Sequence, residues 1–231
     1  MKPAFHPITA ELRLGTTNEI EQLARQRGLS VEGLLLAQER GLLHFGRHWN
    51  KDAWFIADET RFAVSARRLD GQLWFNDSKA VMLKGTQGCW PIGIKESLPY
   101  PNIALVEGGP DLLAAHHLFL VEECATEWAA VAMLSATMTI PEEALPLFKG
   151  KHVRILYHND PEKQGLLAAC RWHQQLGLDS ETEHFCCGGY PMEGGGVSTD
   201  LNDQVHASGE WYEEARAKNE HLVINTKPYV K

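Results

Sequence analysis

Two short apolar runs, each ending in acid, organise the second half of the chain. Ile103-Ala104-Leu105-Val106 leads into Glu107-Gly108-Gly109-Pro110-Asp111, and Val153-Arg154-Ile155-Leu156-Tyr157 leads into His158-Asn159-Asp160-Pro161-Glu162. Runs of this length read as strands buried on both faces. The glycine pair followed by proline suits the entry to a helix, with Asp111 in its first turn. The pattern predicts strand 103–107, helix 110–121, strand 129–134, helix 141–149, strand 153–157, helix 163–176 and strand 182–186. Such alternation predicts an α/β fold, a parallel sheet flanked by helices. Glycines at 188–189 and 194–196 then bracket a loop, Asp200-Leu201-Asn202-Asp203 returns two more carboxylates, and a last helix is expected over 210–219.

The first half has a different texture. Residues 1–15 read as an irregular arm. Thr16-Thr17-Asn18-Glu19 is a capping box, which starts a helix over 18–27 that should stop at Gly28. Ser30 caps a second helix that ends near Gly41. The repeated phrase Leu-Ala-x-x-Arg-Gly-Leu at 23–29 and 36–42 reads as two similar helix endings, with a helix-turn-helix DNA reader as the competing interpretation. Four strands follow, over 53–57, 61–66, 72–75 and 80–83, with Asp70-Gly71 as a hairpin turn. Pro99-Tyr100-Pro101-Asn102 reads as a linker. The expected organisation is a small, mostly antiparallel α+β subdomain over 1–98, the parallel domain over 103–205, and a helix and tail over 206–231.

Composition narrows the class. Of 231 residues 44% are hydrophobic, enough for a sizeable core. No apolar run approaches the ~20 residues of a membrane span, and the first residues lack an apolar signal core, so a soluble cytoplasmic protein with no membrane partner is expected. A net charge of −8 argues against a surface coated for phosphate, while leaving room for a local basic track. Five scattered cysteines, none in C-x-x-C spacing, read as free thiols in a reducing compartment, with Cys124 and Cys170 as small buried hydrophobes on helices.

In a parallel sheet, ligands gather beyond the carboxyl ends of the strands. Glu107 and Asp160 fall at such ends, and Asp111 and Glu162 follow a few residues on. Hard oxygen donors of this kind suit Mg²⁺ or Mn²⁺. Read singly, Asp111 and Glu162 would merely complement helix dipoles; the clustering of four acids after two strands favours a cation site. His158 reads as a supporting or core group, His116-His117 carries no assigned chemistry, and Trp49, Trp54, Trp74 and Trp90 read as core-filling before base-stacking.

The residues around these acids resemble a known family. Glu107-Gly108-Gly109-Pro110-Asp111 resembles the Glu-Gly-x-x-Asp motif of Toprim domains, and Asp160-Pro161-Glu162-Lys163-Gln164-Gly165 resembles their Asp-x-Asp-x-x-Gly motif. Ala130 to Thr139 is similar to the second Toprim strand and its exit in bacterial-type DNA primases. Arg27-Gly28-Leu29-Ser30 and the Trp54 to Gly93 region, with Arg67-Arg68-Leu69-Asp70-Gly71 and Lys79, resemble the primase amino-terminal subdomain. The resemblance covers roughly residues 23–205 and is to the primase catalytic core, without zinc-binding and helicase-binding domains. It implies a Toprim-like sheet and a Mg²⁺- or Mn²⁺-dependent nucleotidyltransferase using nucleoside triphosphates on single-stranded DNA, with a separate helicase as a conceivable partner. Carried over by residue, Glu107, Asp160 and Glu162 would be catalytic, and Glu107, Asp111, Asp160, Glu162 and the weaker candidate Asp203 would surround metal. Arg67, Arg68, Lys79 and Lys84 would contact nucleotide or template. The sequence departs from the family pattern in having Glu162 for the second aspartate, Pro161 before it, and Ser135 for a glycine. Toprim nucleases and a catalytically inactive nucleic-acid-binding accessory protein are the alternatives.

Overall fold

A computed structural model describes residues 6–75, 77–177, 179–187, 192 and 195–205. The expected helix over 210–219 and the unit over 206–231 lie outside the described residues.

Helix α1 (Thr17–Arg27) opens on the capping box read from the sequence: Thr16 accepts the Glu19 amide while the Glu19 carboxylate accepts the Thr16 amide. Arg13 grips both Glu19 oxygens at 2.7 and 2.6 Å, and this hydrogen bonding holds the Glu19 carboxyl down at about 2. Gly28, at φ 66°, closes the helix in the left-handed conformation that favours glycine. Helix α2 (Val31–Glu39) is capped by Ser30, which accepts the Gly33 amide at 3.1 Å.

Four antiparallel strands follow in sequential order: β1 (Leu43–His48), β2 (Lys51–Ala57), β3 (Val64–Arg68) and β4 (Val81–Met82). The sequence did not predict β1, because His44, Gly46, Arg47 and His48 interrupt its apolar alternation. Its hairpin to β2 turns through Trp49 and Asn50, at φ 46° and 59°, so the two left-handed positions are filled without glycine. The strand expected over 72–75 is instead a loop. Trp74 anchors it, buried and donating its indole N–H to the Ala66 carbonyl at 3.3 Å. Asp70-Gly71 therefore ends β3 without joining a strand pair; Gly71 donates to the Arg68 carbonyl.

The parallel sheet contains β5 (Asn102–Glu107), β6 (Trp128–Met133), β7 (His152–Tyr157) and β8 (Glu181–Cys186), in the order β6-β5-β7-β8. It is flanked by α3 (Gly108–Val121), packed on β5 and β6, and α4 (Gln164–Leu176), packed on β7 and β8. A single turn, α5 (Leu201–Gln204), packs on α3. The helix expected over 141–149 is reduced to turns and a short 3-10 segment at Leu145–Phe148. Pro146 lacks the amide a helix interior needs, and only the tighter turn accommodates it. Cys170 also departs from expectation, being exposed on α4, while buried Cys124 lies in the turn after α3.

One continuous apolar core runs from Ile20 and Leu34 through Trp54 and Ile56 to β5, β6, α3, α4 and Leu201. A smaller cluster of Phe55, Trp74, Val81 and Leu83 covers the other face of the antiparallel sheet. Ile92 bridges to Ala132 of β6, with reciprocal 2.9 Å hydrogen bonds, so the segment between the sheets extends the parallel one. Trp54, Trp74 and Trp90 fill core, as their apolar bulk suggested, whereas Trp49 is half exposed. No helix among the described residues is long and apolar enough to cross a membrane.

Candidate metal centre and basic cleft

The site begins at the junction of β5 and α3. Gly108 takes φ 82°, turning the chain sharply from strand to helix. Gly109 lies against the antiparallel sheet: a Cβ there would stand 3.2 Å from Ile56 and from the Trp54 ring. The glycine pair thus lets the start of α3 approach β2 closely. Glu107 occupies the helix-cap position, yet its side chain makes no capping hydrogen bond.

Asp111, one turn into α3, is only 2% exposed. It accepts His158 Nε2–H at 2.6 Å and the Asn202 amide at 3.1 Å. His158 follows β7, and its Nδ1 lies 4.0 Å from a Glu107 oxygen. Burial alone would lower the His158 pKa; the hydrogen bond and charge of Asp111, with the charge of Glu107, outweigh it and raise the imidazole to about 9. Asp200, which caps α5, completes the cluster: ligand atoms of Asp111, His158 and Asp200 lie within 4.8 Å of one another. Burial first, and then the charge of Asp111, push the Asp200 carboxyl upward. Burial likewise raises Glu107, partly opposed by His158.

The remaining predicted acids stand differently. Asp160 accepts the amides of Gln164 and Gly165, both at 2.8 Å, and so caps α4. The Gly165 amide is the main reason its pKa falls. Glu162 is exposed on the turn that follows. Asp203 accepts the amide and hydroxyl of Thr199 at 2.8 and 2.7 Å and donates its own amide to Asp200. The structure therefore gathers Glu107, Asp111 and Asp200 around His158, with Asp160 beside them as a cap. Asp200 was the partner the sequence reading did not assign, whereas His158 takes the supporting place read for it, against Asp111. The signal for Asp200 was its position in the same acidic tetrapeptide as Asp203.

Gly165 ties the two halves of the site together. A Cβ at that position would lie 2.6 Å from the His158 carbonyl oxygen, 2.8 Å from its amide and 3.1 Å from Glu107 Oε1. Glu107 Oε1 is itself buried without a hydrogen-bond partner. An orphaned carboxylate oxygen beside two more carboxylates is the environment a divalent cation satisfies, and the donors are predominantly oxygen. The residues present fit such an ion: Asp111, His158 and Asp200 bring their ligand atoms together, and Glu107 stands beside His158 and Asp111.

Next to the acids lies a basic cleft of about 200 Å³, lined by Arg27, Arg67, Arg68 and Lys79 together with residues 71–73. Arg67 is lowered to about 10, chiefly by burial and then by the charge of Arg27, while Asp111 and Asp200 oppose the shift. The same two acids act on Arg27, whose Nε is buried without a hydrogen-bond partner. The basic and acidic groups are thus electrostatically coupled. Arg68 is committed elsewhere, gripping Asp70 and donating to the Leu73 carbonyl at 3.0 Å. Lys84 is exposed and does not line the cleft. Arg27 escaped the sequence reading because its place at the end of α1 is already explained by the helix dipole.

No family model and no curated protein matches this sequence. Among solved structures, the chain is similar to the primase fragment of the bacteriophage T7 primase-helicase protein. That match has 14% identity and a TM-score of 0.55, covering 96% of this chain and 80% of that one. It is similar also to a DnaG primase catalytic domain bound to ssDNA, at 16% identity and a TM-score of 0.54, covering 90% of this chain and 75% of that one. A DnaG catalytic core matches at 16% identity and a TM-score of 0.50, covering 87% of this chain and 72% of that one. The chain has the fold of these primase catalytic cores, the fold that the resemblance implied.

Proposed function

We propose that the protein is a Mg²⁺- or Mn²⁺-dependent, primase-like nucleotidyltransferase that joins nucleoside triphosphates on a single-stranded DNA template. The observation that carries this reading is the coupling of the two charge clusters: a carboxylate group on the sheet's carboxyl edge and an arginine-lined cleft beside it. In this reading the unit over 1–98 supplies the phosphate-binding cleft, and the unit over 103–205 supplies the acids. Arg67, with Arg27 and Lys79, holds nucleotide or template phosphates, for which a guanidinium fork is well shaped. Glu107, Asp111 and Asp200 hold the cation, and Asp160 fixes the turn that carries His158 over them. Glu162, Asp203 and Lys84 are the outer candidates of the same site. A divalent cation bound there would neutralise triphosphate charge and favour in-line displacement. His158, held by Asp111, completes the polar group beside the acids. A cytoplasmic setting and a separate helicase partner accord with this reading.

Incubation with single-stranded DNA, Mg²⁺ or Mn²⁺ and labelled nucleotides should yield oligomers that disappear in Glu107→Ala. No product from the wild type, or equal product from both, would end the synthesis claim. A second reading, a binding module without catalysis, is favoured by one observation: both Asp111 oxygens already accept a hydrogen bond, from His158 and from the Asn202 amide. It predicts DNA binding without product. Cleavage of the DNA in the same tubes without added nucleotides would instead identify a nuclease.

A further inference from the structure

An aromatic cluster with no part in the site above lies at the open end of the antiparallel sheet. Trp49, on the β1–β2 turn, is 47% exposed, and Phe75, on the loop after β3, is 78% exposed. Their ring centroids are 4.4 Å apart. Buried Trp74 supports Trp49 edge-on at 5.3 Å, and His48 packs against both tryptophans at 4.4 and 5.4 Å. The pair is therefore built from beneath. It is also held at a conformational cost. Trp49 takes φ 46°, a region that bulky side chains rarely enter and that asparagine or glycine fills more easily. The loop bearing Phe75 is closed by hydrogen bonds between Trp74 and residues 77 and 78, each at 2.9 Å. Backbone strain and solvent-facing aromatic surface together mark a surface kept for contact.

The neighbouring charge indicates what makes that contact. Leu73 lines the basic cleft, and Phe75 lies two residues further along the same loop, within about 7 Å of chain. Arg68 on the cleft wall donates to the Leu73 carbonyl, tying that loop to the arginine row. Lys51 lies exposed beside the Trp49 turn; the nearby acids are Asp70, gripped by Arg68, Asp52, which is ion-paired with Arg47, and Asp77. A row of cations leading to a pair of exposed rings has the form of a single-strand groove, in which charges follow the backbone and aromatic faces stack bases. A duplex hides its base faces and cannot use such rings.

We infer that Trp49 and Phe75 form a stacking platform for unpaired bases of single-stranded nucleic acid whose backbone continues along the Arg67–Lys79 cleft. The inference rests on the proposed function for the occupant of the cleft, but its test needs no catalysis. Fluorescein-labelled oligo(dT) and a duplex of equal length are titrated with full-length protein, without nucleotides or divalent cation, across a series of salt concentrations. Phe75→Ala and Trp49→Asn should each weaken single-strand binding by about tenfold, as expected for loss of one stacked base. The salt slope should stay unchanged, and duplex binding should be unaffected. Oligo(dT) should also quench tryptophan emission of the wild type more than that of Trp49→Asn. Phe75 is too exposed for its truncation to unfold the protein, so its result stands if Trp49→Asn is unstable. Wild-type affinity in the Phe75→Ala variant, an equal loss on duplex, or no single-strand binding by the wild type would overturn the platform. Self-association of the wild type that Phe75→Ala abolishes would overturn it too, assigning the patch to a second copy. A binding loss in a protein that makes no oligomer would keep the platform and discard synthesis; synthesis with binding indifferent to both variants would do the reverse.

Discussion

Replacing Gly165 by alanine adds one methyl group at the point where the acidic strands meet. It would sit 2.6 and 2.8 Å from main-chain atoms of His158, some 0.6–0.8 Å inside the 3.4 Å of ordinary contact, and 3.1 Å from Glu107 Oε1. Neither backbone atom can rotate away, so the α4 entry or the His158 loop must move. Overpacking of this kind costs about 1–3 kcal/mol. A displacement approaching 1 Å in a catalytic site lowers rate by about 10²-fold. Urea denaturation and nucleotide incorporation would measure the two effects. Gly33→Ala is the control, because its methyl would meet the His117 backbone at 2.7 Å, between α2 and α3 and away from the acids. It should destabilise to a similar degree while folded protein retains its specific activity. A Gly165→Ala protein with wild-type stability and activity would show that His158 and Glu107 do not converge on this glycine.

Burial raises the Glu96 carboxyl to about 7, above its ordinary 4.5. The folded state thus binds the extra proton, and wild-type stability should fall as pH rises from 4.5 through 7. Glu96→Gln should be more stable by about 1–2 kcal/mol at pH 8, after allowance for solvent screening, and indistinguishable at pH 4; parallel thermal-denaturation curves would contradict this. Asp111→Ala removes the acceptor for half-buried His158 and for the Asn202 amide, and should cost about 1–3 kcal/mol in urea titrations regardless of activity; an unchanged midpoint would remove the pair from the fold's support. Arg67→Ala should weaken oligonucleotide binding and lower the salt slope by about one phosphate contact, whereas an unchanged slope would place the backbone elsewhere.

Legibility followed the strength of local signals. The capping box at Thr16 and Glu19, the stop at Gly28 and the apolar runs into Glu107 and His158 each require a single local geometry, and all were visible in the sequence. Strand β1 was not, because His44, Gly46 and Arg47 dilute its pattern while pairing with β2 supplies the order. The expected strand 72–75 failed for the opposite reason: its aromatic content serves a loop that buries Trp74 and exposes Phe75. At the site, the position of Glu107 at a strand end followed from chain order alone. The roles of His158, Asp200 and Arg27 depend on contacts between segments far apart in the chain, such as the His158–Asp111 hydrogen bond across 47 residues, which no local pattern encodes.

The central claim is that the acids at the sheet's edge share a divalent cation with Glu107 Oε1 as a donor. Anomalous diffraction from crystals soaked in millimolar Mn²⁺ tests it most directly. The account predicts a peak beside Glu107 Oε1 and Asp111 that is lost in Glu107→Gln. An empty site in crystals whose cleft still takes up oligonucleotide, or a peak that survives Glu107→Gln, would contradict it.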